Sequence, residues 1–265
     1  MIRSLLLTFS ILLIFTQIAL AQPADTVFLE ELTWTELRDQ VQSGKTTIIV
    51  PIGGTEQNGP AMALGKHNVR VKLLSEMIAR LLKDALVAPV IAYVPEGSIT
   101  PPTQHMLFPG TITVPDTAFE TVLEYAARSF KAHGFRDVVF LGDHGGYQKD
   151  DQLVADKLNR EWAATPVRVH AIGEYYQVTQ REYAQELKRL GYSDAEIGTH
   201  AALADTSLML AVDPGLVRID ELRSKFGDAD GVYGDPRRSS AELGQRGVDA
   251  IVTQTVDAIK KAVRR

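Results

Sequence analysis

The chain has 265 residues, 45% hydrophobic and 23% charged, which is ordinary globular composition and enough to bury one sizeable core. It contains no cysteine, which excludes a disulfide framework, thiolate metal ligands and a cysteine nucleophile, so any metal must be held by His, Asp, Glu or Asn. The formal charge of −5, with no long basic block, gives nucleic-acid binding no electrostatic support.

At the N-terminus, Arg3 precedes an apolar run from Leu5 to Ile18, and the small-residue triplet Ala19-Leu20-Ala21 follows. That is the anatomy of a cleavable secretory signal over residues 1–21. Thr8, Ser10, Thr16 and Gln17 interrupt the run, which suits a membrane anchor of about 20 apolar residues poorly. The mature chain is expected to begin near Gln22 as a secreted or periplasmic protein with no membrane attachment, and residues 22–265 read as a single domain.

From Thr33 onward, short β-branched runs alternate with amphipathic stretches, the pattern of an α/β protein with a largely parallel sheet covered by helices. A helix over Thr35–Ser43 leads into a strand over Thr46–Ile52, then a helix over Val69–Asp84 and a strand over Val87–Val94. After a long Pro-, Gly- and Thr-rich loop, 95–116, come helix Thr117–His133, strand Val138–Leu141, helix Asp150–Trp162 and strand Val167–Ile172. Helices Gln180–Leu190 and Ala201–Ala211 follow, then a second long loop, 223–240. The last helix, Ala241–Val263, has the spacing of a capping box, Ser239 with Glu242. Loops as long as these two are more often functional than idle.

Two polar clusters directly follow predicted strands. Gly53-Gly54-Thr55-Glu56-Gln57-Asn58-Gly59-Pro60 follows the first, and Gly142-Asp143-His144-Gly145-Gly146 follows the third. In an open parallel sheet such loops meet in a crevice beyond the carboxyl ends of the strands, so Glu56 and His144 are expected to face one another there. Neither cluster has the spacing of a phosphate-binding loop. Gln57, Asn58 and His67, close to Glu56 in sequence, are all able to coordinate a metal or orient a water.

These clusters resemble the creatininase family. Glu56-Gln57-Asn58-Gly59-Pro60 with Leu64-Gly65-Lys66-His67 is similar to its metal-binding signature. His105-Met106-Leu107-Phe108-Pro109-Gly110-Thr111, Asp143-His144-Gly145-Gly146, His200-Ala201 with Asp205-Thr206-Ser207, and Gly231-Val232-Tyr233-Gly234-Asp235-Pro236 follow in order. The resemblance implies a three-layer α/β/α sandwich with a mostly parallel central sheet, assembled into a homo-oligomer. It also implies a metal-dependent hydrolase of cyclic amides and other non-peptide C–N bonds.

Carried over position by position, Glu56 and His144 match metal ligands of the family, and His200 matches its acid/base histidine. Asn58 stands where the family usually has His, and His67 where it has a metal-bridging Asp. Asp205 replaces the Glu of a Glu-Thr-Ser motif. Gly146 stands where members acting on creatinine carry a further Glu, which argues against creatinine as the substrate. The resemblance with these departures implies one divalent ion per subunit, zinc in the first place with iron or manganese as alternatives, held by Glu56, His67, His144 and Asp205. His200 would act on the leaving nitrogen, Asp143 and Asn58 would position water or substrate, and His105, Gly145 and Gly146 would line the substrate pocket. The expected activity is amidohydrolysis of a small cyclic amide, formamide or related C–N bond. The competing reading is a non-catalytic extracytoplasmic binding protein for a small molecule on the same fold.

Overall fold

The structure, a computed structural model, describes residues 25–264. The signal segment expected over residues 1–21, and its cleavage near Gln22, lie outside the described residues. No helix of the described residues is long and apolar enough to cross a membrane.

Four parallel strands form the sheet, in the order β2-β1-β3-β4. They are β1 (Thr47–Ile52), β2 (Ala85–Val87), β3 (Asp137–Gly142) and β4 (Arg168–Ala171). β1 and β3 pair along their full lengths, from Thr47 opposite Asp137 to Ile52 opposite Gly142, so their carboxyl ends finish side by side. Both strands are apolar almost throughout because both faces of the sheet are covered. Ile49, Val139 and Leu141 pack on one side against α2 (Lys66–Leu82), α8 (Leu203–Val212) and α9 (Ala241–Val263). Ile48, Val50, Ile52, Val138 and Phe140 pack on the other against α3 (Asp116–Ala132) and α4 (Gln148–Glu161). The α/β/α layering implied by the resemblance is therefore present.

Three local expectations are corrected. The second strand is three residues long, ending at Val87 rather than Val94, since Pro89 has no N–H for a ladder and only an isolated bridge joins Ile52 to Ile91. The helix expected from Gln180 starts at Glu174 and runs through α5 (Glu174–Val178), a π turn (Thr179–Tyr183) and α6 (Ala184–Arg189). The last helix begins at Ala241, but its cap is Ser240, whose Oγ accepts from the Leu243 N–H at 3.2 Å; the Ser239 hydroxyl donates to Leu203 O instead.

Two features of this frame position the site. α2 begins at Lys66, three residues before the expected Val69, so Lys66, His67 and Arg70 lie in its first turns. Tyr147, fully buried, joins the ends of the two central strands. Its hydroxyl donates toward Ile52 O (2.8 Å) and Gly53 O (2.6 Å) and accepts from the N–H groups of Asp143 (3.1 Å) and His144 (3.0 Å). The two polar clusters are thereby tied together at one point.

Candidate active site

Glu56 projects from the loop after β1 and His144 from the loop after β3, and they meet as the strand order requires, with Glu56 Oε2 3.6 Å from His144 Nε2. The long loop 95–116 adds two residues to the same place. His105 Nε2 is 3.2 Å from Glu56 Oε2, and Glu96 Oε2 is 3.8 Å from His144 Nδ1. One ligand atom from each of Glu56, Glu96, His105 and His144 lies within 4.8 Å of all the others. Gly54, at φ +148°, leaves room for this, since a Cβ there would come within 2.7 Å of Glu96 Oε1.

The chemistry of this group fits a divalent cation. Two imidazoles and two carboxyls are a suitable donor set for zinc, iron or manganese. Glu56 Oε2 and both oxygens of Glu96 are buried without a hydrogen-bond partner, an expensive arrangement that a cation would relieve. Burial, followed by the nearby Glu56 carboxylate, pushes the Glu96 carboxyl up to about 9. Burial lowers His144 to about 4 and lowers His105 as well, so both rings are neutral and put no positive charge beside the cation position.

Beside this group lies a second cluster, fully paired. His67 Nε2 donates to Glu56 Oε1 at 2.8 Å and Nδ1 donates to Asp143 Oδ2 at 2.5 Å. Burial and the neighbouring Lys66 oppose charge on this ring, but Glu56 and Asp143 outweigh them and raise its pKa. Arg70 donates to Asp143 Oδ2 (2.9 Å) and to Asp205 Oδ1 (2.6 Å), and Lys66 pairs with Asp205 and with Glu56 Oε1 at 3.3 Å. Burial works against the carboxylates too, yet Lys66 and Arg70 hold Asp205 well below the usual range, Arg70 and His67 hold Asp143 down, and Lys66 and His67 hold Glu56 well down.

The ligand set expected from the sequence is therefore divided. Glu56 and His144 face the cation position, while His67 and Asp205 lie in the paired cluster; a doubly bonded imidazolium has no lone pair to give a metal. Asp143 lies behind His67, clamped by it, by Arg70 and by the Tyr175 hydroxyl (2.8 Å), and does not line the cavity. The Asn58 amide nitrogen donates to the backbone carbonyls of Glu56 (2.9 Å) and Ala63 (3.0 Å) and so holds the loop, while its Oδ1 is buried without a partner.

A cavity of about 500 Å³ opens beside the two clusters, lined by His67, His105, His144, His200, Asp205 and Tyr233 among others. His200 Nε2 donates to Gln57 O at 2.9 Å, which leaves Nδ1, 3.6 Å from Glu56 Oε1, as the free nitrogen. Burial and Lys66 lower this ring to about 3, so it enters neutral. With Nε2–H committed to Gln57 O, the Gln57 side-chain amide donates to His105 Nδ1 at 3.1 Å and only packs against the His200 ring. His105 does line this cavity, as expected, and also belongs to the cation group. Gly145 packs under the Tyr176 ring, and Gly146 borders a separate hollow of about 800 Å³ beneath the 95–100 segment; neither lines the cavity beside His200.

Glu96, Lys66, Arg70 and Gln57 are the functional residues that sequence reasoning did not assign. Lys66 and Arg70 carried a readable signal, since i and i+4 on a helix lie on one face. Glu96 offered only its place in a long loop after a strand.

A family model described as creatinine amidohydrolase matches residues 30–259. The chain belongs to the creatininase family. Among relatives, it is 27% identical over 245 residues to the mycofactocin precursor peptide peptidase of Mycolicibacterium smegmatis, covering 84% of this chain and 87% of that protein. It is 28% identical over 204 residues to the creatinine amidohydrolase of Pseudomonas putida, covering 74% and 76%. A mutant creatininase described as of Zn–Zn type superposes with a TM-score of 0.73 at 25% identity, covering 91% of this chain and all of that one. As a creatininase-family protein with this group of donors, the chain is a metal-dependent hydrolase.

Proposed function

We propose that the chain is an amidohydrolase cleaving a small cyclic amide, a formamide or a related non-peptide C–N bond, with one divalent ion held by Glu56, Glu96, His105 and His144. Zinc is the first choice for that donor set, with iron and manganese next. The observation that carries the reading is the free Nδ1 of His200 in a cavity of about 500 Å³ bordered by the cation group. A cavity of this size suits a small substrate.

A divalent ion held there supplies Lewis-acid polarisation of the scissile carbonyl. The chain's own residues handle the protons. With Nε2–H fixed on Gln57 O, His200 keeps one tautomer and presents Nδ1 as the base. It accepts a proton from the attacking water as the C–O bond forms, then returns it to the nitrogen as the C–N bond breaks. Lys66 and His67 keep Glu56 charged and oriented, and the Gln57 side-chain amide holds the His105 ring.

The test is elemental analysis of the purified chain, followed by a screen of lactams, formamides and short peptides by product chromatography. Turnover of a lactam or formamide supports the reading. Cleavage confined to peptides, as the name of the mycobacterial relative would suggest, overturns the non-peptide assignment. Export follows the signal pattern over residues 1–21, and the intact mass of protein from the native host checks it: a start near Gln22 is expected, and retention of Met1 in a membrane fraction would refute it.

A further inference from the structure

Lys66 is out of place by every local rule. Its side chain is 1% exposed, although lysine is almost never fully buried unless paired. It is also the first residue of α2, where the helix dipole disfavours a cation. What holds it are Glu56 Oε1 at 3.3 Å and Asp205 Oδ2 in closer contact. The ammonium sits among the residues that the sequence suggested as metal ligands: Glu56, Asp205 and, through Glu56, His67.

The Lys66 ammonium lies between Glu56 and Asp205, the Arg70 guanidinium between Asp143 and Asp205, and the His67 ring between Glu56 and Asp143, in contacts of 3.3 Å or less. Each carboxylate of this cluster has its partners within the chain. Glu56 belongs to it through Oε1 alone, while Oε2 faces His105 and His144 and has no hydrogen-bond partner. One carboxylate thus bridges two cation positions, one filled by the chain itself.

Resting on the metal-site reading above, we propose that the Lys66 ammonium is a built-in second cation, bridged by Glu56 to the ion position, and that it restricts the chain to one divalent ion. A second ion in the paired cluster would stand beside the Lys66 ammonium and the Arg70 guanidinium in a buried place, where repulsion between like charges is weakly screened. Removing the ammonium takes away the cation that lies between Glu56 Oε1 and Asp205 Oδ2, two carboxylate oxygens suited to a divalent ion.

The probe is Zn²⁺ alone, titrated calorimetrically into chelator-stripped full-length protein, with bound metal counted by elemental analysis after gel filtration. One equivalent is expected for wild type and two for Lys66→Met, which keeps most of the side-chain volume without the charge. Two equivalents in wild type, or one in a folded Lys66→Met or Lys66→Gln variant, overturn the proposal while leaving the metal site standing. No zinc in wild type overturns the metal-site reading and this inference with it. Two equivalents in wild type would overturn the proposal even if neither variant folds.

Discussion

His67 Nε2 lies 2.8 Å from Glu56 Oε1 while the opposite ring nitrogen lies 2.5 Å from Asp143, so one imidazolium joins the loop after β1 to the loop after β3. The ring orients a carboxylate of the cation group and does not itself face the ion. His67→Ala should therefore weaken metal binding by only the about 10–100-fold that an outer partner costs. Stability should fall as well, by about 1–3 kcal/mol, because Glu56 and Asp143 each lose a charge-assisted hydrogen bond while keeping Lys66 and Arg70. Metal content at saturating zinc and urea unfolding, measured beside His144→Ala, check this. Loss of metal as complete as in His144→Ala would return His67 to the ligand set.

The metal-free protein should become less stable as the pH rises through neutrality. Glu96 titrates near the ordinary 4.5 when unfolded and at about 9 in the fold, so between those values the folded chain holds a proton that the unfolded chain has released. Its contribution is fully present below 4.5 and is lost as pH rises toward about 9. His67, raised from 6.5 by Glu56 and Asp143 against burial and Lys66, adds a second descending part from 6.5 upward. Glu96→Gln should remove the first part, keep the second, and bind metal far more weakly. Chemical unfolding of chelator-treated protein from about pH 7 to about pH 9, above the range in which the lowered His144 and His200 add a rising part, measures both. A wild-type profile that rises over this range would refute the assignment.

Much of this site was readable because strand order turns sequence position into spatial position. Glu56 and His144 each follow a strand, and adjacent parallel strands must deliver such residues to one edge. The paired cluster was hidden by a helix boundary. With α2 starting at Lys66, a full turn earlier than its apolar pattern shows, residues that read as loop acquire helical spacing, and Lys66 and Arg70 reach Asp205 together. Glu96, and the place of His105 in the cation group, were hidden for a different reason. Their positions depend on how a 22-residue loop, 95–116, folds back over the strand ends, through contacts such as Gln57 N to Thr111 Oγ1 at 3.1 Å, and no periodicity encodes that path.

Tyr147 should be a stability residue of the site. Its hydroxyl serves two backbone carbonyls and two backbone N–H groups where β1 and β3 end. Tyr147→Phe leaves Gly53 O and the His144 N–H without a partner, while Asp143 N and Ile52 O keep each other at 3.0 Å, at a cost of about 1–3 kcal/mol. The ring still packs on Phe119, with centroids 5.2 Å apart, so the fold should persist. The variant should unfold at lower denaturant with an unchanged slope and bind zinc more weakly as Asp143 and His144 loosen. Unaltered stability would show that the hydroxyl does not hold the strand ends together.

His200 separates catalysis from binding. Its Nδ1 is 3.6 Å from Glu56 Oε1, but the ring stands outside the group of four that brackets the cation position. Removing it should leave metal content unchanged. The proton it accepts from water and returns to the leaving nitrogen has no other neutral carrier fixed in the same orientation, since Gln57 O holds only this ring by Nε2. General acid–base transfer contributes about a hundredfold to ten-thousandfold, so His200→Asn should lower kcat by about that much on any amide found in the screen. The KM should change far less, because the cavity wall is otherwise intact. Elemental analysis run with the kinetics makes the comparison sharp. A fall in metal content matching the fall in kcat would make His200 a ligand, and an unchanged kcat would remove it from the proton path altogether.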